Sequence, residues 1–156
     1  MAIAISLRQY LSDHHIPYDV LVHEATGSAG HAAEVAHVSG DKMVKAVLLR
    51  GMEGYVMAVV PASHHLHMDL VNSQVGDDLR LATEDEIVDL FADCERGAVP
   101  ACAAAYGLRA VVDDTLDIMP DVYVEGGDHR SLLHLDADAF RRMVGSAQRG
   151  RISVHD

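Results

Sequence analysis

The chain has 156 residues, 49% apolar and 23% charged, with 24 acids against 12 lysines and arginines for a formal charge of −12. That is the length of one globular domain, able to bury a core without staples and too apolar for a disordered segment. The acidic balance argues against strong unaided binding to DNA or any phosphate backbone, which calls for a basic face. Cys94 and Cys102 lack C-x-x-C spacing, so a disulfide framework and a thiolate zinc site are both disfavoured. No apolar run reaches membrane-spanning length, and MAIAISLRQY lacks a basic stretch followed by a long apolar one. The expected location is therefore the cytoplasm, with no membrane partner.

In chain order, Ser6 is expected to cap a first helix, LRQYLSDHH, with Leu7 and Leu11 on one face and an end before Pro17. YDVLVHE reads as a strand, and a second helix is expected from about Ala29 to His37. MVKAVLLRG and YVMAVVPA read as two central strands around Met52-Glu53-Gly54, rich enough in Val and Leu to be buried on both faces. A helix is expected over Leu66 to Val75, then a short strand, LRLA. Thr83 with Glu86 forms a capping box opening the helix EDEIVDLFADC. GAVPACAAAYG is a punctuated loop, LRAVVDD, DVYVEGG and SLLHLD are strands, and Asp136 caps a last helix, ADAFRRMVG. The polar tail, 146–156, is expected to fray. The result is a single α+β domain, 1–156, around a mixed sheet.

Five features could carry chemistry. Lys45 is one of only two lysines and sits in an apolar strand. It is either a charged guard on a sheet edge or the ammonium of a pocket. Gly97 and Pro100 frame a loop whose backbone N–H groups could face a carbonyl or an anion, or which could be a plain turn. Gly126-Gly127-Asp128-His129 is either a hairpin turn with a solvated histidine or a loop placing His129 over a pocket. His64, His65 and His67 cluster without the i, i+4 pair or thiolates of a zinc site and read as surface histidines. The acidic stretches read as caps and solvated faces. No G-x-S-x-G, P-loop or G-x-G-x-x-G pattern is present.

The ordered set VKAVLLRG, YVMAVVPA, LRLATEDEI, DCERGAVP, RAVVDDTL and VYVEGGDH resembles the YbaK/ProX family over roughly Ala25 to Val144. These are free-standing aminoacyl-tRNA deacylases related to the editing insertion of bacterial prolyl-tRNA synthetases. The resemblance implies an α+β fold with a mixed, barrel-like sheet surrounded by helices. It also implies trans-editing: hydrolysis of the ester joining a wrong amino acid to tRNA, without metal or other cofactor. By family pattern Lys45 meets the terminal adenosine or its phosphate, the backbone of the Gly97–Pro100 loop holds the aminoacyl carbonyl, and His129 matches a histidine of the alanine-specific branch. Lys45, Gly97 and His129 are thus the catalytic candidates. Ala46, Ala98, Val99, Pro100, Gly126 and Gly127 are the substrate-binding ones.

That branch has Asn where Ala46 stands, and many members have Gly where Arg96 stands. Small residues around the site lead to an expected substrate carrying Ala, Ser or Cys. The expected partners are the acceptor end of aminoacyl-tRNA and a synthetase or elongation factor. The five arginines between Arg130 and Arg151 are the expected tRNA contact. Two other readings stand beside this one: a catalytically weak homologue that binds tRNA or a synthetase and regulates, and a metal-dependent hydrolase using the histidine cluster. Neither the edited amino acid nor the oligomeric state follows from the sequence.

Overall fold

Val and Leu dominate the two longest strands, and those strands form the middle of the sheet. The computed structural model describes residues 3–24, 32–33 and 36–156. Strand β2 (Met43–Gly51) pairs antiparallel along its whole length with β3 (Gly54–Pro61), from Val44 opposite Pro61 to Gly51 opposite Gly54. β3 continues in parallel to β6 (Arg109–Asp113), and β6 to β9 (Gln148–Gly150). On its other side β2 meets β7 (Asp121–Glu125) in parallel at Met43 and Val44, and β5 (Arg80–Leu81) antiparallel at Leu49 and Arg50. β8 (Ser131–Asp136) and β1 (Asp19–Val22) complete an eight-stranded mixed sheet, and β4 (His64–Leu66) pairs separately with β10 (Ser153–His155).

Because successive side chains alternate across a strand, β2 feeds two cores. Val44 and Leu48 point into the main one with Leu7, Leu11, Phe91, Val124 and Phe140, and Ala46 packs against it. Leu49 and, across from Lys45, Val60 belong to a second cluster with Val71 and Ile152. The helices are α1 (Ile5–Asp13), α2 (Met68–Val75), α3 (Glu84–Leu90) and α4 (Ala137–Val144), with 3₁₀ turns at Ala103–Tyr106 and Asp114–Ile118.

Several expectations hold. Leu7 and Leu11 are buried, Thr83 and Glu86 make the reciprocal capping box, and Asp136 accepts the Ala139 N–H at 2.8 Å. Others are corrected. Ser6 does not cap α1: the helix starts one residue before it, and the Ser6 N–H goes to the distant Asp93 carboxylate at 2.8 Å. His64–Leu66 is strand, so α2 begins at Met68. The 146–156 tail does not fray. It forms β9 and β10, with Ile152 and Ser153 buried and held by the Asp113 carboxylate, because that buried acid needs donors. The helix expected over 29–37 lies largely outside the described residues. Among described residues no helix is long and apolar enough to cross a membrane.

Candidate functional site

Lys45 stands where the outer edge of β2 lies between the β7 ladder, which ends at Val44, and the β5 ladder, which begins at Leu49. The strand is central, but at Lys45 its outer edge has no registered strand partner among the described residues. Its Nζ donates to the His64 carbonyl at 2.6 Å. Burial lowers the Lys45 pKa, and the Asp156 charge opposes that. Ala46, next in sequence, projects to the opposite face, paired with Val59 in the main core. The two cannot line the same face of one strand.

The glycine–proline loop meets the GGDH loop. Glu95 to Ala98 is a tight turn, closed by the Ala98 N–H on the Glu95 carbonyl at 3.1 Å, with Gly97 at φ 80°. Only glycine enters that region without strain. Among the described residues the Gly97 and Val99 amides have no hydrogen-bond partner. The Glu95 N–H reaches the Gly127 carbonyl at 2.8 Å, and the His129 Nε2 donates to the Arg96 carbonyl. Gly127, at φ 104°, sits so close to α1 that a Cβ would lie 2.9 Å from the Ala4 Cβ. Asp128 accepts the Arg130 and Ser131 amides at 2.9 and 2.7 Å, which fixes the bend.

His129 itself has φ 61°, uncommon for a residue other than glycine or asparagine and shared here by His15 and His37. With Nε2–H spent on Arg96, Nδ1 of the neutral ring carries the lone pair, and it is buried without a partner among the described residues. One ring nitrogen is thus held by the protein and the other buried, while the residue as a whole stays partly exposed. The structure joins Gly97, Ala98, Gly126, Gly127 and His129 into one locus, while no described contact links Lys45 to it.

Three features were missed in the sequence. Glu125 is 2% exposed and neither carboxylate oxygen has a partner among the described residues. Burial, with the Asp128 charge adding, pushes its pKa up to about 7. An acid closing the apolar run VYV was the available signal. Second, Asp93, Cys94 and Tyr106 form a hydrogen-bonded group, the Tyr106 hydroxyl donating to Asp93 at 2.8 Å. Burial pushes the Cys94 and Cys102 thiols up to about 12 and 11, so neither is a ready thiolate nucleophile. Third, a cleft of about 500 Å³ opens beside Val59, Ala101, Ala103 and Arg109, lined by none of the predicted site residues.

Of the five arginines expected to touch tRNA, Arg142 donates to the His14 and His15 carbonyls, and Arg149 pairs with Asp117 at 3.1 Å. Arg130 and Arg151 are exposed.

Residues 23–143 match the model of the aminoacyl-tRNA editing domain. The chain belongs to that family. The editing-domain chain is 35% identical over 114 residues to the proline–tRNA ligase of Thermosipho africanus, covering 70% of this chain and 19% of the ligase. It is 37% identical over 65 residues to that of Pseudothermotoga lettingae, covering 41% of this chain and 11% of the ligase. It thus spans a fifth or less of the curated relatives it matches. A crystal structure of a candidate trans-editing enzyme for prolyl-tRNA synthetase superposes with a TM-score of 0.79 at 24% identity, covering 98% of this chain and 99% of that one. At that identity the likeness establishes the editing-domain fold.

Proposed function

We propose that this editing-domain protein acts in trans as a hydrolase, deacylating tRNA mischarged with a small amino acid of the Ala, Ser or Cys type. The observation that carries the reading is the meeting of the Glu95–Ala98 turn with His129. Among the described residues the Gly97 and Val99 amides have no partner, and they lie at a turn that glycine alone fits, beside an imidazole held by its Nε2–H. Amides so placed can stabilise the oxyanion formed when water attacks the ester carbonyl. The imidazole, through its Nε2–H on the Arg96 carbonyl, ties the turn that carries those amides to the GGDH bend and so sets their direction. An aminoacyl ester is already activated, so positioning and oxyanion support suffice without metal. Lys45 supplies the cation for the terminal adenosine or its phosphate. Ala98, Val99 and Pro100 shape the aminoacyl side, and Ala46 acts from the other face of β2.

One extra methylene is worth only about 1–3 kcal/mol in a binding pocket, so a synthetase that must reject small misfits gains from a second, steric sieve. The acidic chain is suited to gripping only the acceptor end, with further affinity borrowed from a synthetase or elongation factor in the cytoplasm. The test is single-turnover deacylation of a panel of mischarged tRNAs in excess EDTA. Hydrolysis of alanyl-, seryl- or cysteinyl-tRNA, lost in His129→Asn, is the expected result; asparagine keeps the backbone conformation accessible. tRNA binding without hydrolysis of any ester would instead establish the regulatory homologue.

A further inference from the structure

Away from the loops, Asp41, His64 and His155 bring one ligand atom each to within 4.8 Å of one another. His64 opens β4 and its carbonyl accepts from Lys45, and His155 lies in β10, one residue from Asp156. What makes the group more than an ion pair is how the imidazoles are held. Asp113 is fully buried, and its carboxylate accepts the Ser153 hydroxyl at 2.6 Å. That hydroxyl, its proton spent, must accept from His64 Nδ1, 2.8 Å away. His64 is thereby fixed as the Nδ1–H tautomer, with the lone pair on Nε2. His155 is fixed the same way, its Nδ1 donating to the Asp156 carbonyl at 2.8 Å, and its Nε2 stands 3.5 Å from Asp41 Oδ1. Two imidazoles with Nδ1 engaged, each bringing a ligand atom within 4.8 Å of the Asp41 carboxylate, form the donor arrangement of histidine metal ligands with their supporting acceptors.

We propose that Asp41, His64 and His155 form a binding site for a divalent first-row transition ion of the zinc type. Two imidazoles and one carboxylate are a ligand set that zinc accepts, with the fourth position open to water. Ligand atoms about 2.1 Å from zinc stand roughly 3.4 Å apart in a tetrahedron, so the group must contract. Asp41, which accepts from the Ser63 hydroxyl at 2.5 Å, and His155 are half exposed or more and can shift toward an ion while keeping those bonds, whereas His64 is buried. The ion ties the last strand to β4 and to the turn before β2. It lies on the strand whose His64 carbonyl holds Lys45, apart from the loops where the chemistry is placed. The ligands come from three distant stretches of chain, which is why His64, His65 and His67 read together gave no site: His65 turns instead to Asp156 at 2.8 Å.

The experiment is titration of the tag-free, metal-stripped chain with Co²⁺, followed by its visible d–d absorption, with Zn²⁺ as competitor. One equivalent of Co²⁺ in tetrahedral coordination, displaced by Zn²⁺, is expected. Asp41→Ala and His155→Ala, both at exposed positions and checked for unchanged circular dichroism, should each weaken binding at least tenfold. His65→Ala should bind as the parent does. Absence of tetrahedral Co²⁺, unchanged affinity in the Asp41→Ala/His155→Ala double variant, or equal loss in His65→Ala would each overturn the assignment. Deacylation is not the readout, so failure here leaves the proposed activity standing, and the converse.

Discussion

Lys45 and Glu125 each directly follow Val44 and Val124, the last registered pair of the parallel β2–β7 ladder, and by strand alternation both lie on the face of Met43 and Tyr123. Yet they make no ion pair. The ammonium goes to the His64 carbonyl at 2.6 Å, and both carboxylate oxygens of Glu125 are buried without a partner among the described residues. The strands part just where a cation and an acid would otherwise neutralise each other, so the lysine turns to a backbone carbonyl and the acid is left buried with its pKa raised.

Lys45→Ala should lower deacylation at least tenfold, about 1.4 kcal/mol in the transition state, and by a similar factor for every aminoacyl group. The reason is that a cation serving the terminal adenosine or its phosphate does not touch the side chain being sorted. The fold should persist, because a half-buried lysine leaves no buried partner charge behind. Parental rates in the folded variant would remove Lys45 from the site.

Ala46→Asn should do the opposite, changing the ratio of rates across alanyl-, seryl-, cysteinyl- and prolyl-tRNA more than any one rate. It enlarges the face that Ala46 shares with Val59, away from the lysine, and overpacking there costs roughly 1–3 kcal/mol against the larger group. Unchanged ratios would place Ala46 outside the sieve.

Glu125→Gln should raise stability at pH 8 and change it little at pH 5. In the unfolded chain this acid ionises around its ordinary 4.5, whereas in the fold burial holds the proton up to about 7. The native state therefore loses stability progressively between those two values, reaching about 3 kcal/mol above them at about 1.4 kcal/mol per pH unit. Urea midpoints of both proteins at the two pH values measure this. An equal effect at both would show that Glu125 does not titrate in that interval.

Asp93→Ala should cost about 1–2 kcal/mol, the worth of a helix N-cap, although Asp93 lies far from α1 in sequence. Burial opposes ionisation of Asp93, but hydrogen bonds from Ser6, Tyr106 and Cys94 outweigh it and hold the pKa below the ordinary 3.8. A depressed carboxylate stabilises above its unfolded pKa and loses that contribution as pH falls through the folded one. The stability gap between parent and variant should therefore narrow below about pH 4. A gap independent of pH would assign the loss to packing around Tyr106.

The sequence by itself determined the central strands, the capping box and the order of motifs, because strand runs and caps are written in adjacent residues. It also marked Lys45 as anomalous, since an ammonium amid Met, Val and Leu stands out without coordinates. It failed where a group is satisfied from far away in the chain. Ser6 looked like a cap because Asp93 was out of view, and 146–156 looked loose because its donors meet the buried Asp113 only after folding. Adjacency in sequence also misled in one place: Lys45 and Ala46, read as neighbours in one pocket, are sent by the pleat to opposite faces. The tautomer of His129, the isolation of Glu125 and the convergence of Asp41, His64 and His155 were decided by tertiary structure alone. Each depends on which backbone carbonyl, hydroxyl or void the folded chain brings to a side chain, and no local pattern encodes that.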